Sequence, residues 1–181
     1  MKKILLVALA LCLLVSCAFA ESADVTKLTW DSSDVVSMKD SLNLEGDFAT
    51  VEGTSIKYWL PANLKETELS EDEKNGYGVV KYQNDDGSFV MLVKYMQESP
   101  YADVQALYDK IAEQSADFVN LQKIEVNGLS GISYMGVDQN GVFICLLDNG
   151  SLAIFSFGGV KDNTEYTMEA AVIGASVSLA Q

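Results

Sequence analysis

The sequence predicts an α+β domain in which a mostly antiparallel central sheet is covered by helices on both faces. Pairs of asparagine or aspartate with glycine separate many of its short apolar segments, as in strands joined by tight turns. Two of these segments, residues 89–93 and 142–147, are apolar at consecutive positions. Because successive side chains of a strand point to opposite faces, we expect both faces of these strands to be buried.

The mature chain is predicted to start with a frayed lead-in and one short helix. Residues 21–29 form the lead-in. Ser33 caps the predicted helix and Gly46 ends it, since serine favours the first position of a helix and glycine the position after its last turn. The apolar residues of this helix are Val35, Val36, Met38 and Leu42.

Two strands follow, and a charged connection leads from them to a hairpin. The two strands are 48–51 and 56–60, with a turn at Gly53, and Pro61 ends the second because it has no N–H for the sheet. In the connection 65–75, Ser70 and Glu73 form a capping box that predicts about one helical turn. The hairpin strands are 77–83 and 88–96, on either side of the turn residues Asp86-Gly87.

The second half of the chain predicts a helix, a four-stranded meander and a closing helix. Ser99 and Pro100 open the first helix, with proline at the first helical position. Its apolar stripe is Val104, Leu107, Tyr108 and Ile111. The meander strands are 121–126, 130–137, 142–147 and 151–157, and their turns are Asn127-Gly128, Asn140-Gly141 and Asn149-Gly150. Asp162 with Glu165 caps the closing helix. Its shared face is Tyr166, Ala170, Ile173 and Val177.

The first residues have the pattern of a cleavable export signal. Lys2 and Lys3 precede the apolar run 4–15, and Ala18-Phe19-Ala20 supplies small residues at the positions that signal peptidase reads. We therefore expect a mature protein that starts at Glu21 and works outside the cytoplasm. The predicted division of the chain is a signal peptide at 1–20, a lead-in with a short helix at 21–47 and a single α/β domain at 48–181.

A second interpretation of the export signal stays open. Residues 14–17 (Leu-Val-Ser-Cys) resemble the lipobox of bacterial lipoproteins, in which the cysteine becomes the lipidated first residue. Lipidation at Cys17 would hold the protein at a membrane without adding a transmembrane helix. The Ala18-Phe19-Ala20 site favours ordinary secretion instead.

The composition excludes several classes of chemistry. The chain has 12 basic and 26 acidic residues, a net charge of −14, and a surface of that sign repels nucleic acid. All of the basic residues are lysine and there is no histidine, which excludes histidine-containing catalytic triads and histidine-ligated zinc sites. Cleavage after Ala20 would leave Cys145 as the one cysteine, with no partner for a disulfide.

Each candidate site has a structural alternative. Cys145 lies in an apolar strand and is interpreted as an inert core thiol. Lys81 and Lys94 lie in strands, where they would be either buried amines or outward-pointing side chains. The acidic cluster Glu66, Glu68, Glu71, Asp72 and Glu73 lacks the spacing of a calcium loop and is interpreted as a solvated connection. Gly158-Gly159 is interpreted as a turn.

Trp59 is the candidate surface contact. It falls on the strand face opposite Ile56, Tyr58 and Leu60, where its indole would be free for a partner, but core packing against a helix is the favoured interpretation because aromatic side chains contribute strongly to core energetics. We predict no catalytic, metal-binding or cofactor-binding residue in this chain.

The order of elements resembles the PsbP-like α/β/α sandwich family over residues 48–179. The resemblance rests on a strand that ends in Leu60-Pro61, a two-sided hairpin around Asp86-Gly87, a crossing helix at 101–114, the turn at residues 126–128, the meander, and a closing helix that ends near Ser176-Val177. This family includes extrinsic photosystem subunits, a Ran-binding transport factor and many exported bacterial proteins. Its best-known members are binding or assembly subunits, and no site motif of the family is present from which a functional residue could be carried over.

These observations together predict an exported, non-enzymatic binding or interaction module of a bacterial cell envelope or extracellular space. Its partner would be a protein or a glycan, without nucleic acid. The alternatives are a glycan-active hydrolase that uses carboxylates alone and a carrier of a cation or small ligand.

Overall fold

The computed structural model describes residues 25–114, 118–136 and 138–180. Within these ranges the helices are α1 (Ser33–Leu42), α2 (Glu71–Asn75), α3 (Val104–Gln114) and α4 (Thr164–Ser176). The strands are β1 (Thr26–Leu28), β2 (Gly46–Thr50), β3 (Ile56–Pro61), β4 (Lys65–Thr67), β5 (Gly78–Gln83), β6 (Val90–Met96), β7 (Val119–Val126), β8 (Leu129–Met135), β9 (Gly141–Leu146), β10 (Leu152–Gly158) and β11 (Ser178–Leu179). None of these helices is long and apolar enough to cross a bilayer.

The strands form two sheets. The large sheet has the order β1-β7-β8-β9-β10-β6-β5-β4, and a small sheet has the order β11-β3-β2. Every neighbouring pair in either sheet is antiparallel except β1 and β7, which are parallel. The predicted α+β class with a mostly antiparallel central sheet is therefore confirmed.

Both faces of the large sheet are covered, as the consecutive apolar residues of its strands predict. On one face, Leu107 and Ile111 of α3 pack with Ile144 of β9. On the opposite face, Phe143 and Cys145 of β9 lie in the main core with α4, α1 and the small sheet. The side chains of β9 thus alternate between two cores, which explains why this strand has no polar face.

The start of the chain is more ordered than the sequence predicts. Thr26–Leu28 pairs with Ile124–Val126 of β7, so the expectation of a frayed segment is wrong for these residues. Helix α1 packs on α4, and its Val35 and Met38 are buried in the main core. Residues 21–24 of the predicted lead-in lie outside the described part.

Helix α1 begins and ends earlier than predicted. Ser32 caps it, with its Oγ accepting a hydrogen bond from the Val35 N–H, and Asn43 ends it at a φ of 49°. Asparagine tolerates this left-handed conformation, so no glycine is needed there. Gly46 instead begins β2, where a Cβ would lie 2.7 Å from the ring of Trp59.

Helices α3 and α4 also differ from the prediction at their first turns. Helix α3 begins at Val104 and not at Pro100, because Asp103 accepts a hydrogen bond from the Ala106 N–H at 2.8 Å. Asn163 caps α4 in place of Asp162, which adopts a φ of 57°. The periodic apolar residues placed both helices correctly, while the choice among adjacent capping residues was wrong.

The turns of the meander follow the prediction in two of three places. Asn127 and Gly128 both adopt positive φ, and Gly150 does so after Asn149. The Asn140-Gly141 pair is not the third turn, because Gln139 takes the positive φ and Gly141 begins β9. Val137, which was assigned to the second meander strand, lies outside the described residues.

Candidate functional site

An apolar cleft lies between α4 and the large sheet. Its cavity volume is about 100 Å³, and Ala170, Ala171 and Gly174 of α4 form its roof. Small residues on a helix normally allow close packing against a sheet. Here they leave a gap, since a Cβ added to Gly174 would meet only the Cδ1 atom of Phe143, at 4.0 Å.

The floor of this cleft, named the α4 cleft below, is the main-core face of the sheet. It is formed by strands that the prediction had assigned to the meander, together with β1. Its apolar side chains are Leu28, Ile124, Val126, Met135, Phe143 and Phe157. Because a concave apolar site with a few polar groups is the usual form of a small-molecule site, the α4 cleft is the candidate functional site.

The polar groups of the cleft are few and uncharged. Ser133 and Asn120 line it from β8 and β7, and the Ser133 Oγ accepts a hydrogen bond from the Gln122 Nε2 at 3.1 Å. The Thr167 hydroxyl lies 3.0 Å from the Val160 carbonyl, to which it can donate. None of the described residues that line the cleft carries a charge.

Hydrogen bonds at the C-terminal end of α4 help to keep the cleft open. The Asn127 amide donates to the carbonyl oxygens of Ala175 and Val177, at 2.9 and 2.8 Å. The Asn127 Oδ1 atom also accepts a hydrogen bond from the Trp30 N–H at 3.0 Å. One side chain in the β7–β8 turn therefore holds both the last turn of α4 and the segment at Trp30, between β1 and α1.

The N-terminal end of α4 is held by the β5–β6 turn. The Tyr166 hydroxyl shares a hydrogen bond of 2.6 Å with the Ser88 Oγ and accepts another from Asn84 at 3.1 Å. Its ring lies 5.1 Å from the ring of Phe89. With both ends of the helix fixed, the small residues in its middle do not collapse onto the sheet.

On another side of α4, Glu169 is a buried carboxyl that sequence reasoning did not select. It is 1% exposed, and its Oε1 atom has no hydrogen-bond partner among the described residues. Burial raises the pKa of Glu169 to about 7, against a hydrogen bond from Asn63, and the charge of Glu165 adds to the rise. A raised carboxyl pKa suits a general acid, but this side chain is shielded from solvent and does not line the α4 cleft.

The predicted surface contact, Trp59, is buried. It is 4% exposed and lies against Trp30, with 5.9 Å between ring centroids. Core packing, the favoured interpretation, is therefore correct for this indole, and the candidate surface contact is not. On the same face, Phe48 remains 43% exposed, with the Lys57 Nζ 4.5 Å from its ring.

The acidic cluster takes part in local ion pairs. Glu73 completes the predicted capping box with Ser70 and binds the Lys81 Nζ at 2.8 Å. Hydrogen bonds from Lys81 and from the Ser70 N–H hold the pKa of Glu73 at about 2. Glu71 pairs with Lys74 at 2.7 Å. The described residues contain no group of three metal-ligating side chains.

The remaining candidates have structural surroundings. Cys145 is fully buried, and burial raises the pKa of its thiol well above the usual value, which suits an inert core residue. Lys94 is half-buried in β6. Gly159 adopts a φ of 83° in the predicted turn after β10. Cys17 lies outside the described part of the chain.

Comparison with known proteins supports the fold. No family model matches the sequence, and no curated protein matches it. The large sheet, covered on both faces, has a PsbP-like fold, as the order of elements indicated. The solution structure of cyanobacterial PsbP (CyanoP) from Synechocystis sp. PCC 6803 superimposes on this chain with a TM-score of 0.55, over 75% of this chain and 93% of that chain. At 9% sequence identity, this similarity concerns the fold alone.

Proposed function

We propose that this chain is an exported binding module without catalytic chemistry of its own, and that it holds an apolar ligand in the α4 cleft. The observation that carries the proposal is a preformed apolar cavity between α4 and the large sheet. Hydrogen bonds hold α4 in place at both of its ends. The signal pattern of residues 1–20 supports export.

The side chains available for catalysis support binding over chemistry. The chain has no histidine, its core cysteine is sealed from solvent, and its carboxyl of raised pKa is 1% exposed. A nucleophile or general acid has to reach its substrate. Cys145 and Glu169 do not, whereas the α4 cleft presents apolar surface to a ligand.

The size of the cleft sets the kind of ligand. A cavity of about 100 Å³ has the scale of one small ring or a short chain, as an apolar cavity of roughly 150 Å³ takes up benzene. Burial of apolar surface stabilises such a complex by about 25 cal/mol per Å² before the cost of association. We therefore expect a small apolar ligand, or the apolar part of a larger one.

Methyl NMR of the exported protein tests the proposal with benzene as the probe. We expect saturable shifts of the methyl groups of Ile124, Val126 and Met135, which line the cleft. Gly174→Leu fills the space above Phe143 and should abolish these shifts. Ala112→Leu, on the exposed side of α3, is the control and should bind as the wild type does. Shifts that are absent, or unchanged by Gly174→Leu, would overturn the proposal.

A further inference from the structure

We infer that the α4 cleft selects a neutral amphipathic ligand, with its apolar body beneath α4 and one uncharged polar group beside Ser133. The inference rests on the proposed function and specifies the ligand class for the same cleft. It also predicts that the cleft discriminates against the ionised form of an otherwise similar molecule.

The apolar body is placed by the roof and the floor of the cleft. Gly174 lies opposite Phe143 without filling the space between them, and Ala171 and Phe157 also line the cavity. A ligand carbon in this space would contact apolar atoms on both sides. Each such contact contributes about 0.1–0.2 kcal/mol, and an empty cavity makes none of them.

The polar group is placed by Ser133. Its Oγ accepts from Gln122, and no described residue uses the hydrogen of its hydroxyl group. This hydroxyl lines the cleft, so it can donate to an oxygen atom of the ligand. An amide, ester, ketone or alcohol oxygen satisfies it, whereas a purely apolar ligand leaves it without a partner.

The selection against charge follows from the lining and from the net charge. No lysine among the described residues lines the cleft, so a buried carboxylate of the ligand would lack a counter-ion. The net charge of −14 opposes an anion further. The same charge attracts cations to the surface, but no carboxylate in the lining would compensate a cation that entered the cleft. Neutral ligands avoid both penalties.

Three ligands of equal chain length test this inference: hexanamide, hexanoate and hexylammonium. Their dissociation constants are measured at pH 7 by methyl NMR titration of the exported protein. We expect hexanamide to bind at least about tenfold more tightly than either ion, because an unpaired charge costs more than 1.4 kcal/mol to bury. Gly174→Leu should abolish binding of hexanamide.

Two serine variants of β8 test the polar contact. Ser133→Ala removes the hydroxyl that lines the cleft, and we expect hexanamide to bind about fivefold more weakly, the equivalent of one hydrogen bond of about 1 kcal/mol. Ser130→Ala is the matched control, because Ser130 is exposed and does not line the cleft. Benzene, which cannot accept this hydrogen bond as an oxygen does, should bind Ser133→Ala as tightly as it binds the wild type.

The outcomes separate this inference from the proposed function. If an ion binds as tightly as hexanamide and Gly174→Leu abolishes both, selection for a neutral ligand is wrong and the binding function stands. If Ser133→Ala leaves the affinity for hexanamide unchanged, the placement of the polar group is wrong. If neither benzene nor any of the three ligands binds in a way that Gly174→Leu removes, the proposed function itself fails.

Discussion

Glu169 is a buried carboxyl whose ionisation makes the stability of the fold depend on pH. Burial raises its pKa from 4.5 to about 7 in the folded protein. The folded state therefore binds more protons than the unfolded state between these two values. The stability that the neutral carboxyl allows is fully present below pH 4.5 and is lost as the pH rises through 7.

Glu169→Gln should remove this dependence. Glutamine stays neutral and keeps an oxygen that can accept from Asn63. At pH 8 we expect the variant to exceed the wild type in free energy of unfolding by about 3 kcal/mol, the equivalent of a shift of roughly 2.5 pKa units. At pH 4.5 the two should be nearly equal. Urea denaturation measures both differences, with Glu52→Gln in an exposed turn as the control. Parallel pH profiles of Glu169→Gln and the wild type would contradict this account.

The Asn127 side chain connects three parts of the fold by hydrogen bonds. It makes three hydrogen bonds that join α4, the segment at Trp30 and the β7–β8 turn. Asn127→Gly keeps the left-handed backbone and removes these bonds, so the free energy of unfolding should fall by about 2–3 kcal/mol. Gln139→Gly, also at a positive φ but in an exposed turn, controls for the backbone effect and should not destabilise. Equal denaturation midpoints of Asn127→Gly and the wild type would show that the hydrogen bonds of this side chain do not stabilise the fold.

At the scale of elements, the sequence predicted those whose signals are local. Each long helix has an apolar period, and the hairpin around Gly87 has its turn residue at positive φ. The strands β2 and β3 were predicted with the turn between them. Their separation into a small sheet with β11 was not, because two-residue β11 pairs with Lys57 and Ile56, more than 100 residues earlier. The α4 cleft was missed for the same reason. In the sequence Gly174 is an ordinary helical residue, and only the position of Phe143 opposite it in the structure shows the space between them.

Gly174→Ala tests the space at this helix directly. A Cβ would lie 4.0 Å from the Cδ1 of Phe143 and would meet no closer atom, so alanine should stabilise α4 by about 1 kcal/mol. Gly131→Ala is the contrasting variant, because its Cβ would lie 2.2 Å from the carbonyl oxygen of Ile144 and should destabilise β8. Thermal unfolding measures both. A Gly174→Ala protein that is less stable than the wild type would mean that the space above Phe143 is closed.

For the whole molecule, the fold positions the α4 cleft and the N-terminal sequence predicts export. The PsbP-like arrangement places α4 over the sheet, with the α4 cleft between them. Residues 1–20, which carry the predicted export signal, lie outside the described part of the chain. Cleavage after Ala20 would remove two lysines and give a mature net charge of −16, from 10 basic and 26 acidic residues. Such a charge favours solubility.

Intact-mass analysis of the protein from its producing cells tests the site of cleavage. We expect a species in the medium that begins at Glu21, because Ala18 and Ala20 occupy the positions read by signal peptidase. A membrane-bound species that begins at Cys17 and carries the added mass of a lipid would instead establish the lipoprotein alternative.

The central claim is that the α4 cleft holds a neutral amphipathic ligand. A crystal structure of residues 21–181 soaked with hexanamide tests it most directly. We predict density for the pentyl chain between Gly174 and Phe143, with the amide oxygen within hydrogen-bond distance of the Ser133 Oγ. An empty cleft at a hexanamide concentration that saturates the protein in solution, or density only outside the cleft, would contradict the account.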